Sequence, residues 1–234
     1  MRQLLLNIAP DWQPTLDNFV VGRNLELLSA LRHAMEGRTS ERCFFIWGEA
    51  GSGKSHLLQA CVRSLPDAHR SASYAQGSVP KAAPMIAVDD VEQLDETAQI
   101  ELFNLYNQMR ESGSILLVSG KNSPLHLKLR EDLRTRLGWG LVYQLHGLSD
   151  EEKEPALAQH AKTKGFPVQP EVMQYLLRHE RRDLPSLMAA LDALDELSLR
   201  LHRAPTVMLL KEVLQQKYSA PIDPVCANSD KYRA

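Results

Sequence analysis

A glycine-rich octapeptide, GEAGSGKS at residues 48–55, has the residue types and spacing of a phosphate-binding loop. Its glycines allow the backbone to wrap around a phosphate with N–H groups pointing inward. They are Gly48, Gly51 and Gly53. We expect Lys54 to reach the β- and γ-phosphates of a nucleotide and Ser55 to hold Mg²⁺. The alternative is a glycine-rich connection without a ligand, and the strand and helix predicted on either side argue against it.

A pair of acidic residues ends the apolar run MIAVDD at residues 85–90. A phosphate-binding loop that works with Mg²⁺ needs a second carboxylate at the end of another buried strand. We therefore predict that Asp89 lies on the Mg²⁺ side of the site and that Asp90 orients a water molecule. The alternative is that either side chain caps the end of the strand.

Short apolar runs alternate with helical patterns in the first part of the chain. The runs are CFFIWG (43–48), MIAVDD (85–90), SILLVS (114–119) and LVYQL (141–145). Such runs are typical of strands that are buried on both faces. Helices are predicted over residues 24–37, 54–65 and 95–112. Asn24 and Asp95 are the expected N-caps of two of these helices. The alternation predicts a doubly wound α/β layer with a parallel sheet.

The pattern changes after Leu148. Residues 149–152 form a capping box, and a helical pattern continues to about Lys217, with breaks at 165–170 and 204–205. This predicts a small all-helical second domain. We expect a flexible leader, a nucleotide-binding core, a helical lid and a flexible tail, over residues 1–13, 14–148, 149–218 and 219–234.

The composition excludes several classes of protein. The net charge of −2 gives no overall basic character with which to hold nucleic acid by charge alone. No apolar stretch approaches the ~20 residues of a membrane helix, and the N-terminal apolar run is too short for a signal peptide. The three cysteines lack motif spacing, as is typical of a reducing cytoplasm, and the eight histidines are scattered. We expect a cytoplasmic protein that does not bind membranes.

Longer segments of the chain resemble bacterial DnaA-type AAA+ proteins, in the same order. They are PTLDNFVVGRN (14–24), GEAGSGKSHLLQA (48–60), MIAVDDVEQL (85–94) and LRTRLGWGLVYQL (133–145). The last segment is the most specific, because R-x-GWG after a short helix is characteristic of this family. The resemblance covers nearly all of residues 14–217. It implies an AAA+ P-loop core with a helical lid, which binds ADP or ATP together with Mg²⁺.

The resemblance also implies roles for single residues. It adds further contacts to the nucleotide, from Glu49, Ala50, Ser52, His56, Phe19, Val20 and Val21. The last three match a segment that packs near the adenine, and they fit an ordinary core equally well. Arg136 matches the family's arginine finger, which acts in trans on the γ-phosphate of ATP bound by a neighbouring subunit. The alternative is a surface arginine on a basic helix, since Arg130 and Arg134 are close in sequence.

The N-terminal segment QLLLNI, residues 3–8, receives its interpretation from the same family. DnaA carries a helix-turn-helix DNA-binding domain and a longer N-terminal region, and this sequence matches neither. It is more similar to the Hda-type members, which are regulatory inactivators of DnaA. These begin with a motif of the form Q-L-x-L-x-[L/F], which binds the beta subunit of the DNA polymerase sliding clamp. The matching residues are Gln3, Leu4, Leu6 and Ile8.

Such a peptide lays its apolar side chains into a preformed pocket, while the glutamine makes polar contacts at the edge. The alternative is that the three leucines at positions 4–6 pack back onto the domain. A flexible leader can reach the clamp without disturbing the nucleotide-binding core.

One departure from the family's pattern lies at the end of the run SILLVS. The polar residue expected there, usually an aspartate, falls at Gly120. Ser119 or Asn122 could substitute for it.

A second departure lies in the lid. The helix at residues 181–194 normally begins with an arginine that reaches the phosphates, and the matching residue here is Pro185, which cannot contact a phosphate. Arg181 or Arg182 could reach in from the preceding loop. Together the two departures predict weak intrinsic hydrolysis and a mainly structural nucleotide.

These features predict a negative regulator of replication initiation. We expect an ADP-bound protein, tethered to the sliding clamp, that stimulates hydrolysis of ATP on DnaA and meets DNA only through the clamp, with a nucleoid location. Self-association is compatible with the family's finger-to-nucleotide contacts. The alternatives are an independently active ATPase that loads or remodels a replication factor, and a non-catalytic adaptor between clamp and initiator. An initiator that reads DNA directly is disfavoured.

Overall fold

A computed structural model describes residues 13–65, 72–81, 83–181 and 183–219, with side chains as far as residue 215 in the last of these ranges. The chain divides into two compact units between Ser149 and Asp150. The predicted clamp-binding residues 3–8 and the tail from residue 220 lie outside the described residues.

A parallel sheet of five strands forms the centre of the first unit. Its strands are β1 (Cys43–Trp47), β2 (Ala72–Gln76), β3 (Met85–Asp89), β4 (Ile115–Gly120) and β5 (Leu141–Gln144). Their order across the sheet is β2-β3-β4-β1-β5. The predicted α/β class is confirmed. The apolar runs do not predict β2, because its residues ASYAQ are half-buried or exposed and contain no continuous apolar stretch.

Helices cover both faces of this sheet. They are α1 (Leu25–Met35), α2 (Lys54–Ser64), α3 (Glu96–Ser112) and α4 (Glu131–Leu137), with short 3₁₀ turns at Val91–Gln93 and Pro124–His126. Successive residues of β1 point to opposite faces: Phe45 joins the core beneath α3 and α4, whereas Phe44 and Ile46 join the core beneath α1 and α2. Asp95 caps α3 as predicted, since its carboxylate accepts a hydrogen bond from the N–H of Ala98 at 2.8 Å.

Asn24 is the N-cap residue of α1, as predicted, although its side chain makes no cap hydrogen bond. Its amide instead donates to the carbonyl oxygens of Val21 at 3.1 Å and His146 at 2.9 Å. Its Oδ1 accepts from the N–H of His146 at 2.8 Å. Tertiary contact therefore outweighs local capping, and Asn24 ties the segment before α1 to the chain that follows β5.

Replacing Asn24 with alanine is expected to lower the free energy of unfolding by about 2–4 kcal/mol, because the N–H and the carbonyl oxygen of His146 lose their side-chain partner, while the carbonyl of Val21 keeps the backbone N–H of residue 24. Urea unfolding followed by circular dichroism measures this change. The exposed Asn122 provides the matched control, and its alanine variant is expected to stay within about 0.5 kcal/mol of the wild type. A loss no larger than the control's would contradict the structural role of Asn24.

The second unit consists of helices α5 (Asp150–Thr163), α6 (Pro170–His179), α7 (Leu184–Leu201) and α8 (Val207–Ser219). The two predicted breaks lie between α5 and α6 and between α7 and α8. A third break, before α7, does not appear in the helical pattern, although the resemblance places the start of a helix near Pro185. Asp183 accepts a hydrogen bond from the N–H of Ser186 at 2.9 Å, and Pro185 lies in the first turn, so a new helix begins here. Within the described residues, no helix is both long and apolar enough to cross a membrane.

Candidate nucleotide-binding site

The phosphate-binding loop connects the end of β1 to the start of α2, as the sequence predicts. Gly48 can only be glycine, because a Cβ there would lie 2.4 Å from the carbonyl oxygen of Leu145. Gly51 and Gly53 have φ values of 78° and 101°, which side-chain-bearing residues rarely adopt. The loop is therefore shaped by backbone conformations that only glycine tolerates well, and it ends at the N-terminus of a helix.

Lys54 closes this loop. Its ammonium donates hydrogen bonds to the carbonyl oxygens of Gly48 at 2.7 Å and Glu49 at 2.9 Å. Burial lowers the pKa of Lys54, and the nearby charges of Asp90 and Asp89 act in the opposite direction. The ammonium of Lys54 is thus held at the loop. A bound anion can replace the two carbonyl oxygens as its hydrogen-bond acceptor.

A buried hydroxyl in the loop also fits an anionic ligand. The Oγ of Ser52 is buried and has no hydrogen-bond partner among the described residues. An unpaired polar group is costly to bury, so its position indicates a ligand that supplies a partner. Ser55 is exposed in the first turn of α2, where a side chain can reach a metal ion beside bound phosphates. The loop therefore fits a nucleotide phosphate on its own geometry.

Asp89 is fully buried at the end of β3, and its carboxylate is held from two sides. Oδ2 accepts a hydrogen bond from the hydroxyl of Tyr74 at 2.7 Å, and Oδ1 accepts from the hydroxyl of Ser119 and the N–H of Asp90. Burial, together with Asp89, raises the pKa of Tyr74 to about 12, so Tyr74 remains a donor. These contacts orient Asp89 beside the loop.

Mg²⁺ at this site depends on the nucleotide. No group of three or more His, Cys, Asp or Glu side chains in the described ranges is placed to hold a metal ion. Mg²⁺ is commonly bound by one or two carboxylates together with substrate phosphates. Asp89 and Ser55 are the residues that would hold it here, and the metal would polarise the phosphates.

Asp90 has a left-handed backbone, with φ of 51°. Its Oδ2 accepts hydrogen bonds from the side-chain amides of Gln76 at 2.7 Å and Gln93 at 3.0 Å. Aspartate tolerates this conformation better than most residues, although it still costs energy. The conformation turns the chain sharply at the end of β3 and presents the carboxylate at the same sheet edge as Asp89. A role in orienting water stays a prediction.

At the end of β4, neither Ser119 nor Asn122 takes the place of the polar residue that is missing at Gly120. The hydroxyl of Ser119 donates to Asp89 and accepts from the N–H of Asp90, so it is already engaged. Asn122 is exposed. The carboxylate of Glu92 instead lies beside Gly120. Glu92 could not be recognised from the sequence. It belongs to the segment VEQ (91–93) after the two aspartates, and nothing in that segment indicates that its side chain lies beside β4.

The segment before α1 lies against the phosphate-binding loop through Phe19. A Cβ added at Gly53 would lie 3.4 Å from the Phe19 ring. The rings of Phe19 and His56 have centroids 5.5 Å apart, and Nε2 of His56 is 3.3 Å from the carbonyl oxygen of Thr15. Burial lowers the pKa of His56. Val20 and Val21 are half-buried nearby in sequence, and a contact with adenine stays a prediction for all three apolar residues.

Arg136 lies on α4 among aromatic rings. Its guanidinium carbon is 4.2 Å from the ring centroid of Trp139 and 5.6 Å from that of Phe103. The guanidinium carbon of Arg110 lies 5.8 Å from the same ring centroid of Trp139. Trp139 is 56% exposed, whereas Arg136 is half-buried against the two rings and forms no ion pair with another described residue. Its role as a finger stays a prediction.

In the second unit, the start of α7 carries a proline where the family's pattern has an arginine. Pro185 is exposed in the first turn of the helix. Arg181 is exposed and forms an ion pair with Asp183, with Nε and Oδ2 3.3 Å apart. The other candidate, Arg182, lies outside the described residues. A contact from either arginine to a phosphate stays a prediction.

The sequence comparisons agree with this division of the chain. The family model described as the bacterial DnaA ATPase domain matches residues 79–144, and the one described as the Hda lid domain matches residues 150–214. An uncharacterised protein of Haemophilus influenzae is 34% identical over 228 residues, which cover 91% of this chain and 98% of that protein.

Solved structures share the fold. Domain III of the Thermotoga maritima replication initiation protein DnaA has a TM-score of 0.72 at 21% identity, covering 90% of this chain and 98% of that chain. AMPPCP-bound DnaA from Aquifex aeolicus has a TM-score of 0.70 at 21% identity, over 88% and 69%. The RuvB branch migration motor of Thermotoga maritima has a TM-score of 0.64 at 13% identity, over 87% and 72%. At these identities the likeness is one of fold.

Proposed function

The chain belongs to the Hda/DnaA-like family of AAA+ proteins, and on this premise we propose that it is a nucleotide-bound regulator that stimulates ATP hydrolysis on DnaA. The observation that carries the proposal is the position of Arg136, which is half-buried, forms no ion pair with another described residue and is held against the exposed Trp139 on a DnaA-like core. In this role the protein lowers the amount of ATP-bound initiator and so limits replication initiation.

The nucleotide of this chain has a structural role in the proposal. The loop residues and Lys54 bind its phosphates, while Asp89 and Ser55 hold Mg²⁺. The likeness to AMPPCP-bound DnaA supports nucleotide binding. We propose ADP as the resident nucleotide and little intrinsic hydrolysis, because β4 ends in a glycine and α7 has the exposed Pro185 in its first turn.

Arg136 acts on the partner's nucleotide. Its guanidinium faces the γ-phosphate of ATP bound by DnaA and stabilises the negative charge that develops there during transfer to water. Arginine suits this task because its charge is permanent and its planar fork donates several hydrogen bonds at once. Neither the nucleophile nor the leaving group belongs to this chain, so the protein activates the reaction that DnaA carries.

The N-terminal leader is proposed to bring the protein to replicated DNA. We propose that residues 3–8 bind the sliding clamp, whose presence on replicated DNA raises the local concentration of the regulator. Contact with DNA is then indirect, through the clamp.

The test measures hydrolysis of ATP preloaded on DnaA, in the presence of DNA-loaded clamp and of this protein carrying ADP. We expect faster hydrolysis with the wild type and a loss of the clamp-dependent part of this acceleration with Gln3→Ala. Asn7→Ala is the matched control, because the clamp motif accepts any residue at that position. Acceleration that is equal with and without the clamp would contradict the tether.

A second outcome would favour an independent ATPase that loads or remodels another replication factor. In that case the protein alone hydrolyses ATP rapidly, and ATP on DnaA turns over at its own rate. The observation that favours an independent ATPase is the arrangement of Lys54 and Asp89, which are both held at the nucleotide site by hydrogen bonds.

A further inference from the structure

The carboxylate of Glu92 occupies the space that a side chain at Gly120 would take. A Cβ added at Gly120 would lie 3.3 Å from Oε2 of Glu92 and 3.0 Å from Cζ of Phe45. Gly120 is the last residue of β4, and its carbonyl oxygen accepts a hydrogen bond from the N–H of Gly48 at 3.3 Å. A carboxylate from a different element therefore stands at the strand end that adjoins the phosphate-binding loop.

The backbone after β3 places Glu92 there. Asp90, with its left-handed conformation, turns the chain into the 3₁₀ turn Val91–Gln93. Val91 is fully buried in the core, and a Cβ at Gly120 would also contact it at 3.3 Å. The burial of Val91 fixes the orientation of the turn, so the next side chain, that of Glu92, lies against the end of β4.

Both carboxylate oxygens of Glu92 are buried and lack a hydrogen-bond partner in the part of the chain that the structure describes. The ammonium of Lys121, on an exposed side chain, is 3.8 Å from Oε1, which is too long for a hydrogen bond. Burial lowers the pKa of Lys54, and the charge of Glu92, after those of Asp90 and Asp89, opposes that shift. Such a carboxylate is costly to bury, which indicates a ligand that supplies hydrogen-bond donors.

We propose that Glu92 accepts hydrogen bonds from the water shell of Mg²⁺ bound with the nucleotide, at the strand end where β4 carries Gly120. Mg²⁺ usually keeps several of its waters when carboxylates and phosphates bind it, so donors are present beside Asp89. Glu92 is thus a positioning residue for the metal–nucleotide complex. The inference rests on the nucleotide site of the proposed function and is independent of the finger and the clamp.

The first test compares ADP affinity with and without Mg²⁺, by titration calorimetry. With Mg²⁺, Glu92→Gln is expected to weaken binding about tenfold, because a charge-assisted hydrogen bond to the metal's water is weakened. With EDTA in place of Mg²⁺, the same variant is expected to bind ADP as tightly as the wild type or more tightly, because a carboxylate that repels the phosphates has gone. Glu101→Gln, on the exposed surface of α3, is the matched control.

Two further measurements distinguish this role from a structural one. Thermal unfolding without nucleotide is expected to show a higher Tm for Glu92→Gln, by about 2–4 °C, because a neutral amide is cheaper to bury than a charge that has no hydrogen-bond partner and only a long ion pair with Lys121. The double variant Glu92→Ala with Gly120→Asp places a carboxylate on β4 and removes the Glu92 contact, while the Phe45 ring must shift slightly to admit the new Cβ. We expect it to recover Mg²⁺-dependent affinity that Glu92→Ala alone loses.

Equal weakening of ADP binding with and without Mg²⁺, together with a lower Tm, would overturn the proposal in favour of a structural role. Unchanged affinity in both conditions would also overturn it. If the wild type binds no ADP in either condition, the nucleotide site itself is wrong and this inference fails with it. Normal Mg²⁺-dependent binding by the wild type and by Glu92→Gln would overturn the role of Glu92 alone.

Discussion

Replacing Arg136 with alanine is expected to lower the stimulated hydrolysis of ATP on DnaA by about 10³-fold or more, since arginine fingers contribute about 10³–10⁵ in rate. The clamp and ADP should still bind, because the guanidinium lies against Trp139 and Phe103 rather than against the phosphate-binding loop. The measurement is single-turnover hydrolysis of radiolabelled ATP preloaded on DnaA, with clamp loaded on DNA.

Two variants sharpen this prediction. Arg134→Ala removes an arginine from the same helix and is expected to leave the stimulation unchanged. Arg136→Lys keeps the charge but loses the planar fork, so we expect it to restore only a small part of the rate. Full stimulation by Arg136→Ala would refute the finger and leave an adaptor, which acts only by holding clamp and initiator together.

Replacing Lys54 with alanine is expected to weaken ADP binding by about two to three orders of magnitude, because truncating one partner of a buried charge pair costs about 2–5 kcal/mol. Lys54 is 7% exposed, and its ammonium is the cation that closes the loop over the backbone carbonyls of Gly48 and Glu49. Calorimetric titration with ADP and Mg²⁺ measures the change.

Lys128→Ala serves as the control, since its side chain is exposed and lies away from the loop in sequence. It is expected to bind ADP within about threefold of the wild type. An affinity of the Lys54 variant in that same range would show that the loop does not hold phosphate. Lys54→Ala should also reduce stimulation of DnaA if the resident nucleotide is needed to present Arg136.

β1, β3 and β4 could be predicted because they are buried on both faces over nearly all of their length, which leaves continuous apolar runs in the sequence. The expectation of burial on both faces is wrong for β5, which lies at an edge of the sheet and alternates between half-buried and exposed residues. β3 and β4 are buried along their whole length and could be recognised in this way. β2 lies at the edge of the sheet and is only partly buried, so no apolar run indicates it. Tyr74, which orients Asp89, was therefore beyond prediction together with its strand.

The side chains that connect distant segments could not be predicted either. Asn24 and His146 are 122 residues apart, and the cap position of Asn24 gives no sign of their hydrogen bonds. Glu92 meets Gly120 because of a left-handed turn at Asp90, which the dipeptide of two aspartates does not indicate. Motif spacing predicts residues that contact a ligand, whereas their supports depend on tertiary packing.

The stacking of Arg136 on Trp139 has a consequence for conformational entropy. A free arginine side chain has about 2 kcal/mol of rotamer entropy, much of which is lost when it is fixed in a complex. The contacts with Trp139 and Phe103 restrict Arg136 within the free protein, so part of that loss precedes association. In the proposed role of Arg136, the partner would meet an ordered guanidinium, and more of the interaction energy would remain for stabilising charge on the phosphate.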